Sequence, residues 1–327
     1  MSEPGRTVLV SSAGRRVELV RFFQRALADL RLGGRVIATD ANIAWSAAAR
    51  VADAAVLSPR VGAPGYDRFL LDLVRREGVG LLVPTIDTEL LPLAALAQPL
   101  RRAGCELVLS DLALVEICRD KRRTAEWFRG LGLETPAVYD RARLSFPCFV
   151  KPYDGSASIG ARAVRSPGEL SPDLLADDRM LFLELFARPE FDEFTVDAYY
   201  DRGGDLKCLV PRKRVEVRAG EISKGVALKG RTYEHLWRRL GHVAGARGCL
   251  TFQFFVSKDE RRWVASELNP RFGGGYPLSW HAGADFPEWL LREYWLGEGI
   301  PVFEGWKDRT AMTRYDEEVI FTASDGA

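Results

Sequence analysis

The sequence predicts a mixed chain: a parallel α/β unit over roughly its first third, then an α+β half built on antiparallel strands. Three observations carry this. Short apolar strand patterns alternate with helical ones up to about residue 110. A hairpin pattern with a glycine-rich tip follows at residues 146–164, and a second hairpin lies within residues 251–280, TFQFFVSKDERRWVASELNPRFGGGYPLSW.

In the first unit, TVLV (7–10), RVIATD (35–40), AAVL (54–57), LLVP (81–84) and CELVL (105–109) read as strands, with helical patterns between them such as 66–77 and 87–102. That alternation is Rossmann-like. Asp40 ends the second strand, as a ribose-binding acid would, but the first turn reads SSAGRR and lacks G-x-G-x-x-G, which speaks against a nicotinamide cofactor. Arg15 and Arg16 open a helix, where they serve either an anion or solvent. Thr85, Asp87 and Glu89 follow a strand's carboxyl end, the usual ligand side of an open sheet, although Asp87 also suits a helix N-cap.

Past residue 110 the pattern changes. Asp120 and Lys121 begin an amphipathic helix over 122–130. Then FPCFVKPYDGSASIGARAV delivers Lys151 on a short strand, with Gly155, Ser156, Ser158 and Gly160 in the following loop. Small residues let successive backbone amides fold over an anion while the lysine adds fixed positive charge, so the hairpin suits phosphate. No G-K-S/T follows, so it is not a P-loop.

Glu184 ends the strand pattern MLFLELF, and Glu193 begins EFTVDAYYD. Arg212, Lys213 and Arg214 form a cationic run that is either a solvated edge or, beside a metal-binding face, a device for neutralising transition-state charge. A helix is expected over 232–246, carrying His235 and His242, and another over 286–296, packed down by Trp289, Trp295 and Trp306. MTRYDEEVIF (312–321) reads as a last strand. With no serine or cysteine constellation near them, the three histidines are structural and no hydrolytic triad is visible.

The 251–280 hairpin concentrates the chemistry. Glu267 and Asn269 stand two apart on one strand face, and Gln253 joins them across the ladder. A carboxylate and two amide oxygens suit Mg²⁺ or Mn²⁺ once a phosphate supplies the remaining ligands. Arg271 and three glycines follow, a cation with backbone able to approach an anion closely.

The chain has 327 residues, enough for two or three packed units, and 46 Lys plus Arg against 45 Asp plus Glu give a net charge of +1. Bulk electrostatics therefore favour neither nucleic acid nor an anionic membrane as partner. Five scattered cysteines without CxxC spacing suggest reduced, mostly buried thiols and a cytoplasmic protein.

The ordered series Asp120-Lys121, FVKPYDGSASIGA, Glu184, EFTVD, Gln253 and ELNPR resembles the ATP-grasp superfamily, most closely the ATP-grasp unit of the carbamoyl phosphate synthetase large chain. The resemblance implies a Rossmann-like domain (1–115), a lid subdomain with the glycine-rich loop (116–183) and a C-terminal antiparallel subdomain (184–327) that clasp ATP. It implies that Lys121 and Lys151 contact the phosphates and the adenine edge, that Glu184 meets adenine and Glu193 the ribose, and that Gln253, Glu267 and Asn269 hold the metal. Arg271, with Arg212 or Arg214, would meet the transferred phosphate, and the loop bearing Gly155, Ser156 and Ser158 would close over it. The expected activity is an ADP-forming carboxylate–amine ligase using ATP, a small carboxylate and an amine such as an amino acid or peptide, with a homodimer left open. This chain holds a single unit and no amidotransferase nucleophile, and FGGGYPLSW departs from the synthetase's continuation. Phosphorylation of bicarbonate or carbamate, or nucleotide binding without catalysis, are the alternatives.

Overall fold

A computed structural model describes residues 5–155, 159–187, 189–218 and 220–322. The parallel unit comprises β1 (Thr7–Ser11), α1 (Val17–Asp29), β2 (Arg35–Asp40), α2 (Ala47–Val51), β3 (Ala54–Leu57), α3 (Tyr66–Glu77), β4 (Val79–Pro84), α4 (Leu90–Arg102) and β5 (Glu106–Leu107). Its strands are all parallel in the order β3-β2-β1-β4-β5. β1 and β4 are buried along their whole lengths, as strands covered on both faces must be. The order reverses between β1 and β4, so a crevice opens beyond their carboxyl ends, where the 11–16 and 84–89 turns lie.

Two helices, α5 (Leu112–Arg119) and α6 (Lys121–Gly130), lead into a small antiparallel sheet of β6 (Cys148–Pro152), β7 (Arg162–Val164) and, after α7 (Pro172–Ala176), β8 (Met180–Glu184), ordered β7-β6-β8. It has its own core of Cys148, Val150, Val164, Met180 and Phe182. The rest forms a six-stranded antiparallel sheet from β9 (Phe191–Tyr200), β10 (Leu206–Arg218), β11 (Glu221–Ala227), α8 (Arg231–Leu240), β12 (Gly248–Ser257), β13 (Trp263–Asn269), α9 (Tyr276–His281), α10 (Phe286–Trp295) and β14 (Ala311–Thr313), in the order β13-β12-β9-β10-β11-β14.

Helix α1 shows how the halves join. Leu19, Val20, Phe22, Phe23, Ala26 and Leu27 form one buried stripe at helical spacing. Phe22 stacks on Trp280 at 4.1 Å, and Phe23 meets Phe272 edge-on at 6.3 Å. Each buried phenylalanine contributes about 1.5–3 kcal/mol. The parallel unit and the large sheet therefore share one hydrophobic core.

Within the large sheet, Asp197 of β9 is wholly buried and accepts hydrogen bonds from Arg212 Nε (2.8 Å) and Nη2 (2.9 Å) on β10, Thr251 Oγ1 (3.3 Å) on β12 and Ser279 Oγ (2.6 Å) on α9. The GGG turn before α9 fits over this pair because it has no side chains. A Cβ on Gly275 would stand 2.1 Å from Arg212 Nη1, and one on Gly273 would meet Thr251 at 3.0 Å.

Several boundaries differ from expectation. The 232–246 helix ends at Leu240, where Gly241 weakens it and the chain returns to bridge Asp205 through His242. His242 therefore leaves the helix, its Nδ1 2.8 Å from Asp205, while His235 stacks on Trp263. The 105–109 strand shortens to two residues and the last strand to three, β14 ending before the charged run from Asp316 to Glu318. All five cysteines are unpaired, and four are buried. Among the described residues no helix is long and apolar enough to cross a membrane.

Removing Asp197 leaves Arg212 as an uncompensated buried charge. Asp197→Ala is expected to lower stability by about 3–5 kcal/mol in chemical denaturation, and Arg212→Met in the same chain to restore much of the loss; equal stability of Asp197→Ala and the unmodified protein would contradict this account.

Candidate functional site

The register of the large sheet lays out one face. β12 sets Gln253 opposite Glu267 and Thr251 opposite Asn269, with a bulge just beyond Gln253. β9 sets Thr195 beside Gln253 and Asp197 beside Thr251, and β10 sets Arg212 opposite Thr195. Glu267, Gln253, Thr195 and Arg212 thus form a row across four strands. Asn269 lies at the end of β13, 8% exposed.

Two lysines reach the Ser266–Glu267 segment from other parts of the chain. Lys121 begins α6, whose N-cap Asp120 accepts from the Arg122 amide, and its Nζ lies 3.8 Å from Glu267 Oε1. The same ammonium donates to the Gly155 carbonyl, while its own backbone N–H donates to Tyr153 O at 2.9 Å. Arg119 donates to Asp154 O at 3.0 Å, so the base of the glycine loop is fastened to the α5–α6 junction. Lys151, on β6, reaches Ser266 O at 3.5 Å. Burial pulls its pKa below the usual lysine value, Glu267 opposing the shift and Lys121 adding to it. Ser156 and Ser158 lie outside the described residues. A narrow polar cleft joins these groups, lined by Asp87, Arg119, Lys121, Gly155, Glu267 and Asn269.

Arg271, just past β13, forms a two-pronged pair with Asp87: Nε to Oδ1 at 3.0 Å and Nη2 to Oδ2 at 2.7 Å. Asp87 thus serves an arginine 184 residues away. Glu89 behaves differently from its neighbour. It is wholly buried and accepts from Ser12 Oγ (2.8 Å), Thr85 N (2.8 Å) and Ile86 N (3.2 Å), so it braces the β1 and β4 ends rather than facing a ligand. Burial raises its pKa against those hydrogen bonds. Asp40 accepts from the Gly14 and Asn42 amides, closing the first turn, so its oxygens are committed locally.

Two of the remaining expected residues, Glu193 and Arg214, line a second cavity of about 380 Å³ between the large sheet and the end of the small one. Phe186, Phe191 and Phe255 form its apolar wall, with Phe186 stacked on Phe255 at 5.4 Å and meeting Phe191 edge-on at 4.8 Å. Glu193 and Arg214 sit at its polar side and pair with each other; Arg214 Nη2 also donates to Gly220 O at 3.0 Å. Glu184 lies nearby, accepting from Ala137 N at 3.4 Å and standing 3.9 Å from Arg262, which also pairs with Glu134. The cavity falls in the size range of small-molecule sites and combines aromatic walls with a few polar groups. Reading the sequence alone missed these phenylalanines; Phe255 shares Gln253's face by simple alternation, and that signal was available.

Arg212 is neither a solvated edge nor exposed to the cleft. Asp197 takes its Nε and Nη2, the glycine turn covers it, and its Nη1 is buried with no partner among the described residues.

Known proteins agree with this architecture. Residues 8–108 match the PylC-like N-terminal domain, and residues 177–314 match the family described as ATP-grasp in the biosynthetic pathway with Ter operon. Residues 177–314 thus match an ATP-grasp family model, and the fold of the chain is the ATP-grasp fold. It is similar to the 3-methyl-D-ornithine–L-lysine ligase of Methanosarcina acetivorans, 39% identical over 22% of this chain and 20% of that protein. It is also similar to D-alanine–D-alanine ligase B of Chromobacterium violaceum, 33% identical over 36% of each. The matched stretches thus span from a fifth to about a third of these two relatives. The biotin carboxylase domain of Hydrogenobacter thermophilus 2-oxoglutarate carboxylase, a dimer solved with MgADP, ADP and bicarbonate, superposes with a TM-score of 0.70 at 19% identity, covering 93% of this chain and 72% of that one.

Asp87→Asn leaves the Arg271 guanidinium without its carboxylate in a mostly buried setting. A double-mutant cycle with Arg271→Gln, followed by chemical denaturation, is expected to give a coupling of about 2 kcal/mol or more between the two positions; additive effects would mean that the pair carries no net interaction.

Proposed function

We propose that the protein is an ADP-forming ligase that activates a carboxylate with ATP and joins it to an amine. The observation that carries this reading is the meeting of two lysines from a helix start and from the small sheet at the end of β13, Lys121 on the Glu267 carboxylate and Lys151 at the neighbouring Ser266 carbonyl, beside Arg271. Two ammonium groups beside one carboxylate, only one of them paired with it, leave positive charge for a polyphosphate. The aromatic cavity beside Glu193 and Glu184 has the shape and chemistry for a purine base and its sugar. The proposed division at about residues 115 and 183 follows the same reading, each of the three sheets belonging to one part.

The donor set fits a divalent cation bound together with phosphate. Glu267, Gln253 and Asn269 offer hard oxygens, yet among the described residues no group of three or more acidic, histidine or cysteine side chains gathers to hold a metal alone. A Mg²⁺ or Mn²⁺ ion held there would neutralise charge on the β- and γ-phosphate oxygens. In the reaction proposed, a substrate carboxylate oxygen bonds to the γ-phosphorus as the bond to the β–γ bridging oxygen breaks, releasing ADP. The amine nitrogen then bonds to the acyl carbon, the carbon–oxygen bond to phosphate breaks, and the amine gives up a proton. Lys121 and Lys151 bind the phosphates, and Arg271 offsets charge on the transferred group. The Gly155 loop covers the acyl phosphate against water.

A coupled assay of ADP release over carboxylic acids, with and without amines, followed by product mass, tests this. Turnover that requires both an acid and an amine is the expected result; turnover with bicarbonate alone would redirect the reading to carboxylate phosphorylation, and ATP binding without ADP release across the whole panel would leave a nucleotide binder. Glu267→Gln is expected to cut ADP release about a hundredfold, equivalent to roughly 3 kcal/mol in the barrier.

A further inference from the structure

Around and beneath the glycine turn that faces the parallel unit lie five arginines and three carboxylates, and the pairing leaves one arginine over. Asp197 is taken by Arg212 and Asp87 by Arg271. Glu221, at the start of β11, is shared by Arg15 at 3.6 Å and by Arg314 at 3.3 Å. Arg314 also donates to the Gly274 carbonyl, tying the chain after β14 to the glycine turn. Arg16 has no carboxylate within ion-pair distance among the described residues. Among the described residues its guanidinium makes one hydrogen bond, from Nη2 to Thr85 O at 3.4 Å, long for a charged donor.

Arg16 is half-buried by its surface area. Burial, followed by the nearby positive charge of Arg271, pulls its pKa down to about 10, with Glu221 and Asp87 only partly offsetting them. Arg314 is likewise pulled down by burial, and by Arg212 and Arg15 after the opposing pull of Glu221. A second guanidinium atom beneath the same turn, Arg212 Nη1, is buried with no partner among the described residues. A Cβ on Gly274 would stand 3.0 Å from Arg16 Nη1 and 2.8 Å from Glu221, so bare backbone is what leaves room between these groups. Desolvated, under-compensated cations cost free energy in the absence of an anion, and a guanidinium fork matches a carboxylate.

We propose that Arg16, flanked by Arg314 and the Gly274 turn, is the subsite for a carboxylate that is not the one activated: the free carboxylate of an amino-acid acceptor. The proposal rests on the ligase reading for its chemistry. Arg271, near the Glu267 cleft, serves the phosphoryl end; Arg16 lies on the parallel-unit side of it, in the crevice at the β1 and β4 ends. An amino acid acceptor would direct its amine at the acyl carbon, with its carboxylate, one carbon away, held by Arg16. The acceptor class is therefore an α-amino acid with its carboxylate free, rather than a simple amine or an amino-acid amide.

Two pools serve as probes: the proteinogenic amino acids in both enantiomers, and the same compounds as α-carboxamides. Thermal unfolding of the full chain with ATP and Mg²⁺ reads binding without needing turnover. The acid pool is expected to raise the unfolding temperature by about 2 °C or more and the amide pool not to. Arg16→Gln abolishes that difference, and Arg16→Lys retains part of it, which separates loss of a charge site from loss of the fold. Where ADP release occurs, Arg16→Gln raises KM for the acid pool by about tenfold or more and leaves KM for ATP unchanged. Equal responses to both pools, no response to either, or full discrimination retained by Arg16→Gln would overturn the subsite. A pool-dependent thermal shift with no ADP release keeps the subsite and sinks the ligase; ADP release from acids and amides alike does the reverse.

Discussion

Placing a carboxylate in the middle of a sheet is costly unless every lone pair is used, and Asp197 is held at no exposure by donors from β10, β12 and α9. Much of the candidate site depends on that arrangement. It fixes Arg212 flat against β9, seats the start of α9 on the sheet, and requires the turn above it to be glycine. The turn in turn brings the Gly274 carbonyl to Arg314 and the bare backbone to Arg16. A deep ion pair therefore shapes a surface it does not belong to. Its energetic worth to the fold is secondary to the positional constraint it imposes.

The cleft is assembled from groups far apart in the chain: Asp87 just past β4, Lys121 at the start of α6, and Glu267 and Asn269 on β13, with Lys151 of β6 close by at the Ser266 carbonyl. Each sits at an element terminus or on a rigid strand, where neighbouring hydrogen bonds set its direction. Lys121 illustrates this, with its amide on Tyr153, its ammonium between Gly155 and Glu267, and its preceding residue capping the helix. The glycine loop base, the helix start and the sheet edge are thus coupled through one side chain.

Local periodicity made much of the fold legible. Strand–helix alternation revealed the parallel unit, and the two-residue repeat around Glu267 predicted the face that the register displays, with Gln253 directly opposite. What periodicity cannot carry is pairing between distant segments. Nothing near Arg271 in sequence announces Asp87, and nothing in the cationic run at 212–214 announces that Arg212 turns inward to Asp197 while Lys213 and Arg214 pair with Asp192 and Glu193. The glycines after Pro270 suggest room for an anion in the sequence, whereas in the fold they first of all clear the side chains of Thr251, Glu221 and Arg212. The helix end at Leu240 was missed because one glycine is tolerated inside many helices, and the deciding contact is a bridge to Asp205 in the preceding hairpin.

The stacking of Phe22 on Trp280, with Phe23 against Phe272, bears on how this chain can be dissected or recombined. Family resemblance divides it into separately recognisable stretches, one ending at residue 108 and another beginning at residue 177. The physical division falls elsewhere, because α1 completes its core with rings from the far end of the sequence. A parallel unit produced by itself would expose that aromatic face, and a chimera carrying a foreign first third would need matching partners for Trp280 and Phe272. Exchange of parts among relatives is therefore limited less by the strands that define each unit than by a few rings between them.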